Sequence, residues 1–268
     1  MTTPPITNKQ QEILILLYQF RFLNRLQIQA HLKHKDYKTI NLWLKDLKDK
    51  EYIGRIYSTK VPESMKPAIY YLALNGIRYL KTIGYQQKEL KPLYSEKERA
   101  ENFIAKHVLL ADIWLDLQNK SNDKTMWAAA TASDLTDPDY KYHFLAELGP
   151  DLVFVKKTKN MNMYYLLEIF ESKLPFYSIR KKIRNYFDFY FYNAWEDNTS
   201  EDFPTLLFVC PDLSTLISAK RYARKLLAEY DDIDMKMQFA ENIKMQEAGV
   251  TGEIWEEVII KADQTDSD

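Results

Sequence analysis

The stretch Asp36–Leu74 constrains the fold of this chain more than any other. Ile40, Leu44 and Leu47 recur at i, i+4 and i+7, which makes one apolar stripe of a helix. Asp36 stands just before it, where a carboxylate accepts hydrogen bonds from the freed N–H groups of the first turn. The opposite face carries Tyr37, Lys38, Asn41, Leu42 and Lys45, with Thr39 at its edge. Upstream, Asn24 is placed to cap a short helix over Arg25–Lys33 whose apolar residues are Leu26, Ile28 and Leu32, and the Lys33–Lys35 connection is only a few residues long. Further upstream, Thr7–Phe20 has Ile13, Leu14, Leu17 and Phe20 at helical spacing. Downstream, Tyr52–Thr59 and Ala68–Leu74 are β-rich runs on either side of a Pro62–Pro67 turn, with Arg55, Lys60 and Lys66 on or near the hairpin.

Three helices followed by a hairpin is the order of a winged helix-turn-helix domain. In such a domain the third helix enters a DNA groove, and this one has the chemistry for it. Asparagine pairs bidentately with adenine, lysine supplies charge, and Leu42 can pack on a thymine methyl. The expectation is that Tyr37, Lys38, Thr39, Asn41, Leu42 and Lys45 meet the major groove, while Arg55, Lys60 and Lys66 hold the flanking phosphates.

The charge distribution points the same way. The 268 residues carry a formal net charge of −1, yet residues 1–97 hold 17 Lys and Arg against 8 Asp and Glu, leaving 20 against 30 for the remainder. A basic N-terminal module on an acidic body indicates which end meets double-stranded DNA. The single cysteine, Cys210, excludes an internal disulfide framework and a multi-thiolate zinc site, and its place after the apolar run Leu206–Val209 reads as a buried structural thiol. No N-terminal signal pattern and no apolar stretch near 18 residues occurs, which leads to the expectation of a cytoplasmic protein without membrane contact.

Domain boundaries follow from composition. Asn75–Ile83 reads as a fourth helix closing the first module, and polar Gly84–Lys97 with Pro92 reads as connecting chain. The division expected is a DNA-binding domain over 1–90, a linker over 91–97, a second domain over 98–262 and an acidic tail over 263–268. The second half alternates a long helix Glu98–Gln118, a strand Trp127–Ala130, a hairpin of Leu152–Val155 and Tyr164–Phe170, a helix Phe176–Tyr192, a strand Thr205–Cys210, a helix Leu213–Tyr230, and late strands at Met235–Phe239 and Glu257–Lys261. That is an α/β body.

Within the body, Pro150-Asp151 enters one strand and Glu168 lies near the end of the next, as in the PD-(D/E)XK nuclease signature. There, two carboxylates hold a divalent metal and a lysine two residues beyond the second activates water. Phe170 occupies that position here, on the same strand face as Glu168. Lys181 or Lys182 on the following helix could reach the site as a migrated lysine, and Glu98 or Glu101 could add a third carboxylate. No metal or other cofactor is expected unless a nuclease reading holds, in which case it is magnesium or manganese. Of the histidines, His107 on an apolar helix reads as a core residue, His31 and His34 near a helix end as solvated or phosphate-facing, and His143 as a loop residue. Arg180, Lys181, Lys182 and Arg184, and likewise Lys220, Arg221, Arg224 and Lys225, form basic stripes suited either to solvent or to single-stranded nucleic acid, an acidic partner or a second subunit.

In this order the parts resemble the replication-relaxation family encoded on bacterial plasmids and integrative elements. The resemblance is carried by the exit Tyr70, Leu72, Gly76, by a helix with His107 followed by Leu109, Leu110, Ala111 and Asp112, by Pro150-Asp151, by the strand end Leu167-Glu168, and by a helix with Lys182 and Tyr186. It implies a winged helix-turn-helix domain followed by a degenerate nuclease-like α/β body. It also implies DNA binding in plasmid replication, relaxation or conjugative transfer; the expectation drawn is a sequence-specific duplex-binding homodimer without catalysis of its own, with relaxase, replication or conjugation proteins as partners. The family often keeps an acidic residue two positions after the strand glutamate, and Phe170 departs from that pattern. The competing expectations are a winged-helix transcription regulator and a metal-dependent nuclease.

Overall fold

Thr7 starts the first helix of the chain through a reciprocal cap: its hydroxyl accepts from the Gln10 N–H, and the Gln10 side chain accepts from the Thr7 N–H at 2.9 Å. Helix α1 follows over Asn8–Phe20, and Asn24 with Gln27 repeats the same device at the start of α2, Arg25–His31. The third helix, α3, spans Tyr37–Asp49 under the Asp36 cap. The computed structural model describes residues 4–57, 66–230 and 233–259. Lys60, most of the Pro62–Pro67 turn, the end of the Glu257–Lys261 strand and the acidic tail over 263–268 lie outside the described residues.

The chain divides into two units, Met1–Leu115 with Thr131–Tyr140, and Asp116–Ala130 with Lys141–Asp268. In the first, α1, α2 and α3 bury Ile13, Leu14, Leu17, Phe20, Ile28, Ile40, Leu44 and Leu47 in one core. The apolar Leu26 is instead 53% exposed, because it faces away from that core. Strands β2 (Ile53–Ile56) and β3 (Ile69–Leu72) pair antiparallel, with Ile53 opposite Leu72 and Ile56 opposite Ile69. The dipeptide β1, Leu23–Asn24, adds a third antiparallel strand on β3. This strand is too short to leave a period-2 pattern in the sequence. Helix α4 runs Leu74–Thr82, one residue earlier than its pattern indicates.

The linker expected over 91–97 is a correction. Lys91–Glu98 is a 3-10 helix, preceded by the one-turn α5 (Gln87–Leu90), and Leu90 and Leu93 are buried in the first core. Pro92 lies in the opening turn, where a missing N–H leaves no hydrogen bond unmade. Glu96 is buried and accepts from Arg21 Nε at 3.1 Å. The division falls further along, within α6 (Glu101–Lys120), whose Ala111 and Trp114 belong to the first core.

In the second unit a six-stranded sheet has the order β4-β5-β6-β7-β8-β9: Met126–Thr131, Leu152–Lys157, Asn162–Ile169, Thr205–Cys210, Met237–Glu241 and Glu256–Glu257. The β5/β6 hairpin is antiparallel, β6/β7 and β7/β8 are parallel, and β9 returns antiparallel. Helices α7 (Phe176–Phe191) and α9 (Leu213–Leu227) make the crossovers between the parallel strands, with the short α8 (Ala194–Thr199) between them in sequence and α10 (Asn242–Ala248) after β8. The central strands are buried on both faces, so Leu152–Val155 and Leu206–Cys210 are continuous apolar runs. Cys210 is fully buried there, and burial pushes its thiol up to about 12. No helix among the described residues is long and apolar enough to cross a membrane.

Candidate nucleic-acid interface and the carboxylate pair

Helix α3 turns Ile40, Leu44 and Leu47 into the core, and this aims the other face outward. Leu42 is 65% exposed and Tyr37 51%, and Lys38, Asn41 and Lys45 are exposed beside them. Asp36 holds the start of the helix, its two carboxylate oxygens accepting from Lys38 N at 2.9 Å and Thr39 N at 3.1 Å. The Thr39 hydroxyl donates to the same carboxylate at 2.5 Å, so Thr39 is occupied in the cap rather than presented outward. These bonds hold the Asp36 carboxyl below its ordinary range, Thr39 contributing most.

A chain of rings and guanidinium groups extends this surface onto α2 and the sheet. Arg25 lies over the Tyr37 ring at 5.7 Å and Arg55 over Tyr57 at 5.6 Å. Burial raises the Tyr70 phenol while Arg55 and Arg25 beside it pull it back, which joins the two pairs. Arg55 and Lys66 are exposed, as expected. Arg25, Tyr57 and Tyr70 were not among the DNA-binding residues expected from the sequence, because residues from separate elements meet only through the pairing of β3 with β1 and β2.

The histidines divide differently from expectation. His31 is packed between Phe20 and Trp114, ring centroids 4.7 and 4.8 Å away, and burial lowers it to about 4, so it is a core group rather than a phosphate-facing one. His34 Nδ1 lies 3.0 Å from the Asp36 carbonyl oxygen, bridging the α2–α3 connection. His107 is packed at 4.2 Å from the Phe103 ring. Asp112, on the same helix, accepts from Gln27 Nε2 at 2.7 Å and ties α2 to α6.

In the body, Asp151 lies one residue before the Leu152–Leu167 pair, and its N–H donates to the Leu167 carbonyl at 2.9 Å. Asp151 and Glu168 therefore stand opposite each other across the β5/β6 hairpin. Glu168 is 2% exposed, and one of its oxygens accepts from Lys182 Nζ at 3.1 Å and from the Tyr186 hydroxyl at 3.2 Å. Lys182 thus reaches the pair from α7, whereas Lys181 is exposed. Burial and then the carboxylates of Glu168 and Asp151 push the Tyr186 phenol well above its ordinary value, so it remains a donor. Phe170 occupies the remaining space, stacked on Phe208 at 5.7 Å with 13° between the rings.

Each carboxylate of the pair already has a partner. Asp151 Oδ2 is engaged by the Ile169 N–H at 2.7 Å, and Glu168 is neutralised by an ammonium group. Among the described residues no group of three or more His, Cys, Asp and Glu side chains is arranged to hold a metal. A cavity lined by Tyr164, Tyr190, Trp195 and Glu201 opens at the other end of β6 and does not include the pair. No known protein-family model matches the chain, and no curated protein matches it.

Proposed function

We propose that the first unit is a winged helix-turn-helix domain that binds double-stranded DNA sequence-specifically, with α3 in the major groove. The observation that carries this reading is the face of α3: an Asn flanked by two lysines, a tyrosine and an exposed leucine, on a helix held rigid by a buried stripe. In this reading Lys38, Asn41, Leu42 and Lys45 face base edges. Arg55 and Lys66, with Arg25 added to them, lie along the backbone.

The body then serves as a nuclease-like scaffold of the PD-(D/E)XK kind in which Lys182 and Tyr186 close over Glu168. The order of elements and the Asp151, Glu168, Lys182 and Tyr186 cluster support membership of the replication-relaxation family. Duplex binding would serve replication, relaxation or transfer of a mobile element in the cytoplasm, with the protein acting as a homodimer beside relaxase or replication proteins.

One observation favours a second reading, a nuclease: Lys182 stands beside Glu168 where a migrated lysine would be needed. Incubating supercoiled plasmid and forked DNA with magnesium and with manganese separates the two. Cleavage lost in Asp151→Ala would establish the nuclease. Selection of bound sequences from random DNA tests the main reading: a recovered motif supports it, and recovery of no motif by a chain that still binds DNA removes sequence specificity. A winged-helix transcription regulator would give the same selection result and would be distinguished by a motif placed at a promoter rather than at a replication or transfer origin.

A further inference from the structure

Helices α7 and α9 pack side by side in the second unit, and between them they hold eight of the 20 Lys and Arg residues in the acidic 98–268 half of the chain, against one acid, Asp188. Two of the eight are turned away and neutralised: Lys182 reaches Glu168, and Lys220 reaches Glu256 at 2.8 Å. The other six, Arg180, Lys181, Arg184, Arg221, Arg224 and Lys225, make no ion pair among the described residues. The seam between the helices is built from the same residues. Arg180 lies over Phe176 at 4.7 Å and over Tyr222 of α9 at 5.3 Å, and Arg184 lies near Tyr222, with Glu229 the nearby acid. Isoleucine and leucine of both helices face the sheet, so the cations line one outward surface.

Arg224 and Lys225, in the last turn of α9, suit its dipole, but helix physics does not account for the rest of this arrangement. Arg180–Arg184 and Arg221–Lys225 are like-charge i, i+4 pairs, which destabilise an isolated helix. Arg180 and Lys181 sit in the N-terminal half of α7, where the dipole disfavours cations. A solvated helix face more often alternates the sign of its charges. A surface that gathers unpaired cations against local cost is suited to a polyanion with regularly spaced charge.

We propose that the α7/α9 face is a second, sequence-independent nucleic-acid contact that grips the phosphodiester backbone. The inference extends the proposed DNA binding to another surface and does not require α3. Guanidinium and ammonium groups hold phosphates, while Tyr177, 73% exposed on the first turn of α7, offers a ring against sugar or base.

The test uses the full chain with Lys181→Glu, Arg221→Glu and Lys225→Glu combined, and separately Lys38→Ala with Lys45→Ala. Affinity for a random-sequence duplex and for a single strand is measured across a salt series. The expected result is that the triple variant weakens binding at least tenfold at low salt and lowers the slope of log affinity against log salt by about two to three units, since each released phosphate contact contributes just under one. The α3 pair retains this salt-dependent, sequence-independent binding while losing preference for the selected motif. Comparison of duplex with single strand shows which backbone form the face prefers. An unchanged slope and affinity for both probes in the triple variant overturns the proposal, even if α3 variants lose specificity. Unchanged preference for the selected motif in the α3 pair, with loss of affinity in the triple variant, sinks the α3 reading and leaves this one standing. Lys181→Gln, Arg221→Gln and Lys225→Gln replace the reversals if those impair folding, and the same slope change is expected at smaller size.

Discussion

Gly76 shows how one residue type can be dictated by a single contact. A Cβ there would stand 2.3 Å from the Tyr52 carbonyl oxygen, which is backbone and cannot turn aside. Gly76→Ala is expected to cost about 1–3 kcal/mol, read as a lower denaturant midpoint, because α4 must move off β2 to admit the methyl group. His31 sets a second expectation. Its folded value, about 4, lies below the ordinary 6.5, so the neutral ring is favoured in the fold. The stability this contributes is complete above pH 6.5 and is lost as pH falls toward 4, where the unfolded chain takes up the proton first. Relative to His31→Phe, the chain should lose about 2 kcal/mol between pH 7 and 4, seen as diverging urea midpoints; parallel midpoints would show that the ring is not dry. The sequence misplaced His31 for a physical reason: Lys33 and Lys35 follow it closely in the chain, and Trp114, one of the rings that bury it, comes from a helix far along the sequence. The exposure of Asn41 was legible because the local pattern of Ile40, Leu44 and Leu47 fixes it by itself. Asn41→Ala should lose discrimination between the selected site and random DNA by about tenfold or more while total affinity changes less, because base-edge contacts specify where phosphate contacts anchor.

At the level of elements, the capping residues and stripes of α1, α2 and α3 placed those helices to within a residue or two, since caps and 3.6-residue periodicity are local properties. What local pattern does not reveal is how the elements are tied together. Gln27 illustrates this: its Oε1 completes the cap of α2 by accepting from Asn24 N at 2.9 Å, while its Nε2 donates to the Val108 carbonyl at 2.8 Å and to Asp112 at 2.7 Å. Burial raises the Asp112 carboxyl and the Gln27 bond pulls it back, so this glutamine both starts one helix and satisfies a buried acid on another. Gln27→Leu keeps the volume and removes both functions. It should cost about 2 kcal/mol, the order expected for leaving a buried acceptor unpaired together with a lost cap. Gln27→Glu should be worse near neutral pH and recover on acidification, because a second carboxylate would face Asp112. The hairpin β5/β6 was legible for the opposite reason: two β-rich runs on either side of a short turn put Asp151 and Glu168 together without help from distant chain. The lysine was not. Its shift from the strand to α7, with Phe170 stacked on Phe208 in its place, follows from a crossover helix whose rotation is set by Ile179, Ile183 and Phe187, and the residues that bury those are on other elements.

Across the whole molecule, the division into units is where composition misled most. A polar stretch with a proline looks like a linker, yet Leu90 and Leu93 are one helical turn apart and both are buried, a spacing present in the sequence and outweighed by the charges around it. The first core also takes Ala111 and Trp114 from α6, and Thr131–Tyr140 returns to it: Asp134 accepts from Gln19 Nε2 at 3.2 Å, and the Ser133 hydroxyl donates to the Tyr18 and Gln19 carbonyls at 3.3 Å. A fragment ending at residue 97 would contain every residue proposed to read DNA and still lack the helix that covers Phe20 and His31. Truncating Trp114 from a core of this kind removes about 3–5 kcal/mol, and losing the partners of Gln27 adds to that, which together approach the whole stability of an ordinary domain. Residues 1–97 alone should therefore unfold without a cooperative thermal transition or melt far below the intact chain, whereas residues 1–140, which restore Gln27's partners and the Asp134 contacts, should melt cooperatively. Equal cooperativity in both fragments, followed by near-ultraviolet circular dichroism, would place the boundary back at 91–97 and reduce the α6 contacts to surface packing.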